Sequence, residues 1–176
     1  MKDRETDFRD AVVGLERGDF SRLAPLFGEA GDASLECQIL KWFAEGRFAD
    51  EPLALSEAFT CACFNGRTPV VRALLEAGVD PMAGESTGMN GLHWAVNRGQ
   101  LETVRLLLSR NLPLEPRSMH GTTALGTAVW SAVHEPRERH LEIIEALIGA
   151  GASVAEAGYP SGLEPIDELL RHEGAG

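Results

Sequence analysis

A recurrence at an interval of 33 residues constrains the fold of this chain more than any other feature. Each interval holds a turn glycine, a short helical stretch, a second glycine and a longer stretch with apolar residues on one helical face. A fixed period of this length predicts helical hairpins that bury their apolar faces by packing against their neighbours. The matched positions are Phe59, Leu92 and Leu125; Ala62, Ala95 and Ala128; Gly66 and Gly99; and Gly88 and Gly121.

The clearest copy of the repeat opens at residues 90–95 with Asn-Gly-Leu-His-Trp-Ala. Period and motif together resemble the ankyrin repeat, whose signature is Thr-Pro-Leu-His-x-Ala. The resemblance implies an all-α solenoid of stacked helix–turn–helix units, about four to five in number. We expect one domain over residues 1–176, with clear repeats at 56–88, 89–121 and 122–161, an N-terminal capping unit at 1–32, a degenerate, truncated unit at 33–55 and a C-terminal cap at 162–176.

Capping residues predict where several helices begin and end. Ser56 is a plausible N-cap for a helix that ends at Gly66, and Thr123 is the N-cap expected for the last clear repeat. Asn111 stands where Gly78 stands one repeat earlier. Asparagine is the next best residue after glycine for a left-handed helix cap, so we expect a positive φ at Asn111.

Two parts of the chain depart from the period. Residues 34–45 have the pattern of a helix with Leu35 and Trp42 available for burial, and the segment that includes Pro52 breaks it. Beyond Ser131 the repeat residues match at a separation of 40 instead of 33. We therefore expect a seven-residue insertion near 132–140, between the two helices of that repeat. Insertions in repeat proteins map to loops on one face.

Composition narrows the possible functions. The formal net charge is -11, whereas proteins that bind nucleic acids or anionic membranes need clustered Lys and Arg. Neither nucleic acid nor membrane is therefore expected as a partner. The same charge is compatible with a basic protein partner. No segment approaches the about 18 to 20 apolar residues that span a bilayer, and no signal-peptide pattern is present, so a cytoplasmic location is expected. The three cysteines have no framework spacing and are expected to be reduced.

No catalytic residue, metal site, cofactor or small-molecule substrate is predicted. Residues 84–88 match the G-x-S-x-G motif of hydrolases, but no apolar strand precedes Ser86. Residues 134–140 contain two histidines and a glutamate at a spacing that does not fit a zinc-protease helix. Cys61 and Cys63 are two apart on a predicted helix and point to nearly opposite sides, so we expect buried thiols.

The resemblance implies where a partner protein would bind. In similar proteins, contacts concentrate on the hairpin tips and on the last exposed turn of each first helix. Large apolar side chains at such positions cost solubility, and Trp and Arg are enriched in binding hot spots, so Trp130 and Arg98 stand out. Packing of Trp130 under the insertion, ordinary hairpin packing of Met89 and Met119, and a core position for Trp94 are open alternatives. The residues carried over by position are Phe64, Asn65, Thr87, Met89, Trp94, Asn97, Arg98, Met119, His120, Trp130 and Ser131.

These observations predict a non-enzymatic module that binds another protein through its concave surface. One alternative is an acidic inhibitor or antidote protein that masks a basic partner. A second is a regulatory unit that acts on a separate catalytic protein, and a third is a hydrolase that uses Ser86 with His93 or His120. We expect His93 instead to belong to the hydrogen-bond network between turn and helix, with Asn90 as a partner.

Overall fold

A computed structural model describes residues 4–29, 32–84 and 88–173 of the chain. In this described part there are ten α-helices, two short 3-10 helices and no β-strand, which confirms the all-α prediction. The α-helices are α1 (Arg4–Glu16), α2 (Phe20–Leu23), α3 (Gln38–Ala44), α4 (Pro52–Phe64), α5 (Thr68–Glu76), α6 (Gly91–Asn97), α7 (Leu101–Leu108), α8 (Ala124–His134), α9 (His140–Gly149) and α10 (Glu164–Glu173). The 3-10 helices span Ala24–Phe27 and Val154–Glu156.

The backbone contacts divide the chain into two compact units, Met1–Gly91 and Leu92–Gly176, here called unit 1 and unit 2. None of the described helices combines the length and the apolar character needed to cross a membrane. The predicted repeat boundaries are not tested by this division and stay predictions.

Unit 1 is built around α4, which contacts α1, α2 and α5. Every residue of α4 from Glu57 to Cys63 is buried, as expected for a helix enclosed by others. The face of α1 that carries Phe8 and Leu15 is also buried. The Phe8 ring meets Trp42 and Phe48 edge-on, each at a centroid distance of 5.2 Å. The core of this unit is therefore rich in aromatic contacts, which favour such T-shaped geometry.

Two helix starts in unit 1 differ from the prediction. The helix expected from residue 34 begins at Gln38, and Leu35, expected to be buried, is 53% exposed. The helix expected to begin after Ser56 begins one turn earlier, at Pro52. The Ser56 hydroxyl donates to the Pro52 carbonyl at 3.1 Å and caps nothing. Proline favours the first helical position because it lacks an N–H that would be unsatisfied there.

Buried Arg67 holds the extended segment that precedes α3. Its guanidinium donates to the carbonyl oxygens of Glu29, Asp32 and Ser34. One arginine supplies five N–H donors, so a single buried guanidinium serves several backbone carbonyls of this segment. This part of the chain does not follow the repeat pattern, and the side chain that orders it lies 33 to 38 residues away in the sequence.

In unit 2, α9 packs against α7, α8 and α10. The side chains of Leu107, Leu125 and Leu147 are fully buried, as the repeat pattern predicts for the apolar face of each helix. Ala95 and Ala128, which are equivalent in the repeat, are both fully buried within first helices. Small side chains at these places allow helices to approach closely.

Predicted helix caps in unit 2 are confirmed. The Thr123 hydroxyl accepts a hydrogen bond from the backbone N–H of Gly126 at 3.2 Å and thereby caps α8. Asn111 has a φ of 53° and is the only residue other than glycine with a positive φ in the described part of the chain. Asparagine tolerates this left-handed conformation better than most residues.

The insertion near 132–140 is partly helical, which corrects the expectation of a loop. By the 33-residue register, the last residue of α6, Asn97, corresponds to Trp130, yet α8 continues to His134. The insertion therefore extends α8 by one helical turn, residues 131–134, and only residues 135–139 form the loop. Pro136 explains why the helix stops, because the residue before a proline disfavours helical backbone angles.

Candidate protein-contact surface

The C-terminal ends of α6 and α8 lie side by side. The Asn97 side chain donates from Nδ2 to the Ser131 hydroxyl at 2.9 Å, which ties the two first helices of unit 2 together. Ser131 is fully buried, so its predicted role as an exposed contact residue is wrong. Its side chain points towards α6 because it is the first residue of the added turn and meets the neighbouring helix.

Trp130 and His134 form an exposed aromatic pair on the added turn. Their rings stack with centroids 4.6 Å apart and an interplanar angle of 16°. The His134 Nδ1–H donates to the Trp130 carbonyl oxygen at 2.8 Å, which fixes the ring beside the helix. Trp130 is nevertheless 47% exposed. It therefore contacts the insertion on one face and still presents apolar surface to solvent.

His140 joins the insertion to the end of α6. Its Nδ1 accepts from the backbone N–H of Arg137 at 3.1 Å. Its Nε2 must then carry the proton, and it donates to the carbonyl oxygens of Val96 and Asn97 at 3.2 and 3.3 Å. Burial lowers the pKa of His140, and the bonds to these carbonyls oppose that effect in part. The neutral ring thus bonds two carbonyls at a helix end, where not every carbonyl has a partner within the helix, and shares the Val96 carbonyl with the N–H of Gly99.

Charged side chains gather where the insertion folds back on α6. The Arg137 side chain covers Gly99, where a Cβ atom would lie 3.0 Å from Arg137 Cδ. Gly99 has a φ of 72°, a left-handed conformation that favours glycine. Arg98 is half-buried, and its pKa is lowered by burial and by the positive charge of Arg137, against a smaller opposite effect of Glu135. The guanidinium groups of Arg98 and Arg137 are therefore close enough for their charges to repel.

The hairpin before α8 carries two further predicted residues. Met119 is 69% exposed and His120 is also exposed. The turn is held by the Ser118 hydroxyl, which accepts from the His120 N–H at 3.2 Å. The buried ring of His93 bonds the Thr122 carbonyl through Nε2 at 3.3 Å, which agrees with a turn-to-helix network, whereas Asn90 as its partner stays a prediction. Burial lowers the pKa of His93, and bonds to backbone carbonyls act in the opposite direction.

The remaining predicted contact residues belong to unit 1. Phe64 is half-buried and meets the Phe20 ring at 5.7 Å, and Asn65 donates to the carbonyl oxygen of Cys61 at 3.0 Å. Met89 is 6% exposed, so the alternative of ordinary hairpin packing is confirmed for it and an exposed contact position is wrong. An apolar thioether gains more from burial than from solvent exposure, and a hairpin residue has room to turn inward. Thr87, like Ser86, lies outside the described residues.

The alternative chemical sites gain no support. The thiols of Cys61 and Cys63 are buried, and burial raises the pKa of both. In the described residues, no group of three or more His, Cys, Asp or Glu side chains is placed to hold a metal ion. Both ring nitrogens of His140 are already bonded to the backbone. The two histidines of residues 134–140 thus serve the packing of the insertion.

Residues 59–157 match the sequence profile of ankyrin repeats in three copies, a span that covers more than half of the chain. The chain belongs to the ankyrin repeat family. Ankyrin repeats are stacked helix pairs and are typically protein–protein interaction modules. A rice protein (Oryza sativa subsp. japonica) described as a probable E3 ubiquitin-protein ligase, XBOS33, is 33% identical over 124 residues. That alignment covers 69% of this chain, and the chain spans 22% of the length of the rice protein.

Within the ankyrin repeats, the structure groups five side chains at the ends of the two first helices of unit 2. We call this group the helix-end surface: Trp94, Asn97, Arg98, Trp130 and His134. Trp94 on α6 and Arg98, directly after its last residue, are four residues apart and joined by the bond from the Arg98 N–H to the Trp94 carbonyl. Trp130 and His134 are also four apart on α8, so each pair lies along one helical face.

Sequence reasoning missed three residues of this region, His134, Arg137 and His140. All three lie in or next to the insertion, where the repeat register offers no equivalent position. One signal was available for the first of them. If the helix had been expected to continue past Trp130, the spacing of four residues would have placed His134 beside the tryptophan.

Proposed function

We propose that this ankyrin repeat chain is a non-enzymatic module that binds a partner protein through the helix-end surface, on the expected concave side of the repeats. The observation that carries the proposal is the exposed stack of Trp130 on His134 at the end of α8. A tryptophan that is 47% exposed costs solubility without completing the core. Tryptophan is also among the residues that dominate measured binding energies.

The bonds beneath the surface favour recognition by a preformed site. The Asn97–Ser131 bond and the His140 bonds to the end of α6 hold both helix ends in one arrangement. A site that is already ordered loses little conformational entropy when a partner binds. The module therefore needs no folding step to expose its contact residues.

A comparison of two aromatic variants tests this function. Native partners are captured from lysate with the wild-type chain, identified by their peptides, and then titrated calorimetrically with Trp130→Ala and Tyr159→Ala. Tyr159 is an equally exposed aromatic residue of unit 2, outside the helix-end surface. We expect Trp130→Ala to weaken binding by about 30-fold, as for a hot-spot side chain, and Tyr159→Ala to weaken it by less than about twofold. Equal affinities of the two variants would refute the proposal.

An inhibitor that masks a basic partner is the second candidate, and the net charge of -11 favours it. The attraction would then weaken steeply as salt screens the charges. Titration of the captured partner at two salt concentrations decides this, because an affinity independent of salt would contradict it. A regulatory action on a catalytic protein is distinguished by which protein the capture recovers.

The hydrolase alternative is tested directly with substrates. Loss of turnover of esterase and protease substrates in Ser86→Ala would support it, whereas a wild-type chain with no turnover would exclude those reactions. The positions of the two histidines that would assist Ser86 favour binding over catalysis. The His93 ring is buried against the Thr122 carbonyl, and His120 lies on an exposed turn.

A further inference from the structure

One polar position recurs where the second helices of the repeats begin. By the repeat register, Arg67, Gln100 and His140 are equivalent, at separations of 33 and 40 residues. Arg67 donates to carbonyl oxygens of the segment before α3, and His140 donates to the carbonyl oxygens of Val96 and Asn97. In both repeats the side chain at this position therefore holds backbone that lies earlier in the chain.

Of these three residues, only His140 changes its charge near neutral pH. The arginine side chain stays protonated in proteins, and the glutamine amide does not titrate. An imidazole gains a proton in the range between about pH 5 and 8 unless its surroundings prevent it. The repeat that carries the insertion is thus the one in which this position responds to acid.

The bonds of His140 require a neutral ring. Its Nδ1 accepts from the Arg137 N–H at 3.1 Å, while its Nε2 donates to the two carbonyl oxygens. A second proton would occupy Nδ1, so that two donors face each other and the bond to Arg137 is lost. His134 differs, because its Nδ1–H donates to the Trp130 carbonyl and keeps this bond when the ring is protonated.

Two charged side chains act on the His140 ring, and both belong to the loop at 135–139. Arg137 disfavours a further positive charge and Glu135 favours it. The other described titratable groups of this loop, of α9 and of the elements around α9 have no resolved effect on the ring: Glu138, Arg139, Glu142 and Glu145; His93 and Arg98; Glu102 and Arg105; His134; and Glu164, Asp167, Glu168, Arg171 and His172. Burial and the backbone bonds therefore outweigh the charges around it.

Asn97 connects His140 with the helix-end surface. The Asn97 carbonyl accepts from His140 at 3.3 Å, and the Asn97 side chain donates to the Ser131 hydroxyl at 2.9 Å. Ser131 directly follows Trp130 in the chain. The loop and the aromatic pair at the end of α8 are therefore supported through the same residue.

We propose that His140 makes the helix-end surface sensitive to pH: a neutral ring holds the loop at 135–139 against α6, and a protonated ring releases it. A charged ring is costly to bury and does not accept from the Arg137 N–H, so it leaves its place together with the loop. Asn97 then loses one of its two bonds, and the surface loses its fixed arrangement. This inference rests on the proposed function and adds a regulation of the same site, with His140 as a positioning residue.

The size of the effect is limited by the titration of the released ring. In water the pKa of the ring returns to about 6.5, whereas burial lowers the pKa of the ring in its closed place. The released form therefore takes up protons first as the pH falls below 6.5. Between pH 7.5 and pH 5, the ratio of released to closed loop can rise by up to about 30-fold.

Exchange of backbone amides with solvent, measured by NMR on the full chain, reports the release. After correction for the intrinsic pH dependence of exchange, the protection of the Arg137 amide should fall by about 3-fold to 30-fold between pH 7.5 and pH 5. The Ala152 amide, which donates to the Leu147 carbonyl at 3.0 Å, shows whether unit 2 opens as a whole. Equal losses at Arg137 and Ala152, or no loss at Arg137, would overturn the inference.

Two variants assign the effect to one ring. His140→Gln keeps a donor and an acceptor without titration, and glutamine already stands at the equivalent position 100. In this variant the protection of Arg137 should change by less than about twofold, whereas His134→Gln should retain the wild-type dependence. An equal pH dependence in wild type and His140→Gln would contradict the proposal. If His140→Gln does not fold, the wild-type ring titration decides, because its midpoint must coincide with the loss of protection.

The partner captured for the test of the proposed function completes the experiment. It is titrated with wild type and with His140→Gln at both pH values, and the wild type should lose more affinity at pH 5. Equal losses would overturn the regulation and leave the proposed function intact. Failure of the proposed function is seen separately at pH 7.5, where Trp130→Ala and Tyr159→Ala would bind equally, and the regulation of that surface would fall with it.

Discussion

Replacement of His140 tests whether the insertion is held by a single neutral imidazole. His140→Ala removes the acceptor for the Arg137 N–H and the donor for the carbonyl oxygens of Val96 and Asn97. The ring is 2% exposed, so water does not replace these partners while the insertion stays in place. We expect a loss of stability confined to unit 2.

The size of the loss follows from the bonds and the volume removed. Each net hydrogen bond contributes about 1 kcal/mol, so the two ring nitrogens account for about 2 kcal/mol. The cavity left by the ring adds up to about 2 kcal/mol, depending on how far the loop collapses. The expected change in the free energy of unfolding is therefore about 2 to 4 kcal/mol.

Urea unfolding followed by tryptophan fluorescence measures this change. Trp94 and Trp130 report on unit 2, and Trp42 reports on unit 1. The matched control is His134→Ala, which removes an exposed histidine from the same insertion and should cost less than about 1 kcal/mol. If His140→Ala and His134→Ala unfold at the same urea concentration, the hydrogen bonds of His140 do not stabilise the insertion and the reasoning fails.

Three further changes test the packing and titration of unit 2. Leu107→Ala should lower the free energy of unfolding by about 2 to 5 kcal/mol because the side chain is fully buried, and an unchanged melting temperature would contradict the repeat register. Thr123→Ala should cost about 0.5 to 2 kcal/mol through loss of the α8 cap, measured by urea unfolding with the conservative Thr123→Ser as control. Acid should destabilise unit 2, because the folded pKa values of His93 and His140 lie below the unfolded value of 6.5. Their contribution to stability is therefore complete above pH 6.5 and is lost as the pH falls through the folded pKa values. Urea unfolding at pH 7.5 and at pH 5.5 measures this, with unit 1, which contains no histidine, as the control. If the urea midpoint of unit 2 is as high at pH 5.5 as at pH 7.5, the expectation is refuted.

The repeat register could be predicted from the sequence because it depends on local physical chemistry. Asn111 takes a positive φ where its equivalents are glycines, and Thr123 caps α8, since both roles depend on one residue and its neighbours along the chain. Ser56 shows where local reasoning had two valid answers. Serine and proline both mark helix starts, and Pro52 was the one that α4 used.

The direction of individual side chains could not be predicted from the same pattern. Met89 and Ser131 occupy positions that face a partner in similar proteins, yet both are buried here. Whether such a side chain points outward depends on the atoms that lie beside it after folding. Ser131 turns towards α6 because Asn97 offers it a hydrogen bond from a helix 34 residues away in the sequence.

The sequence by itself determined that this protein is built of ankyrin-type helix pairs, and that an insertion separates the two helices of the last clear repeat. Periodicity carries that information because each repeat packs in the same way as its neighbours. Only the tertiary structure decided what the insertion forms. His134, Arg137 and His140 acquire their roles from Trp130, Gly99 and the end of α6, and contacts between segments without a repeat equivalent leave no period in the sequence.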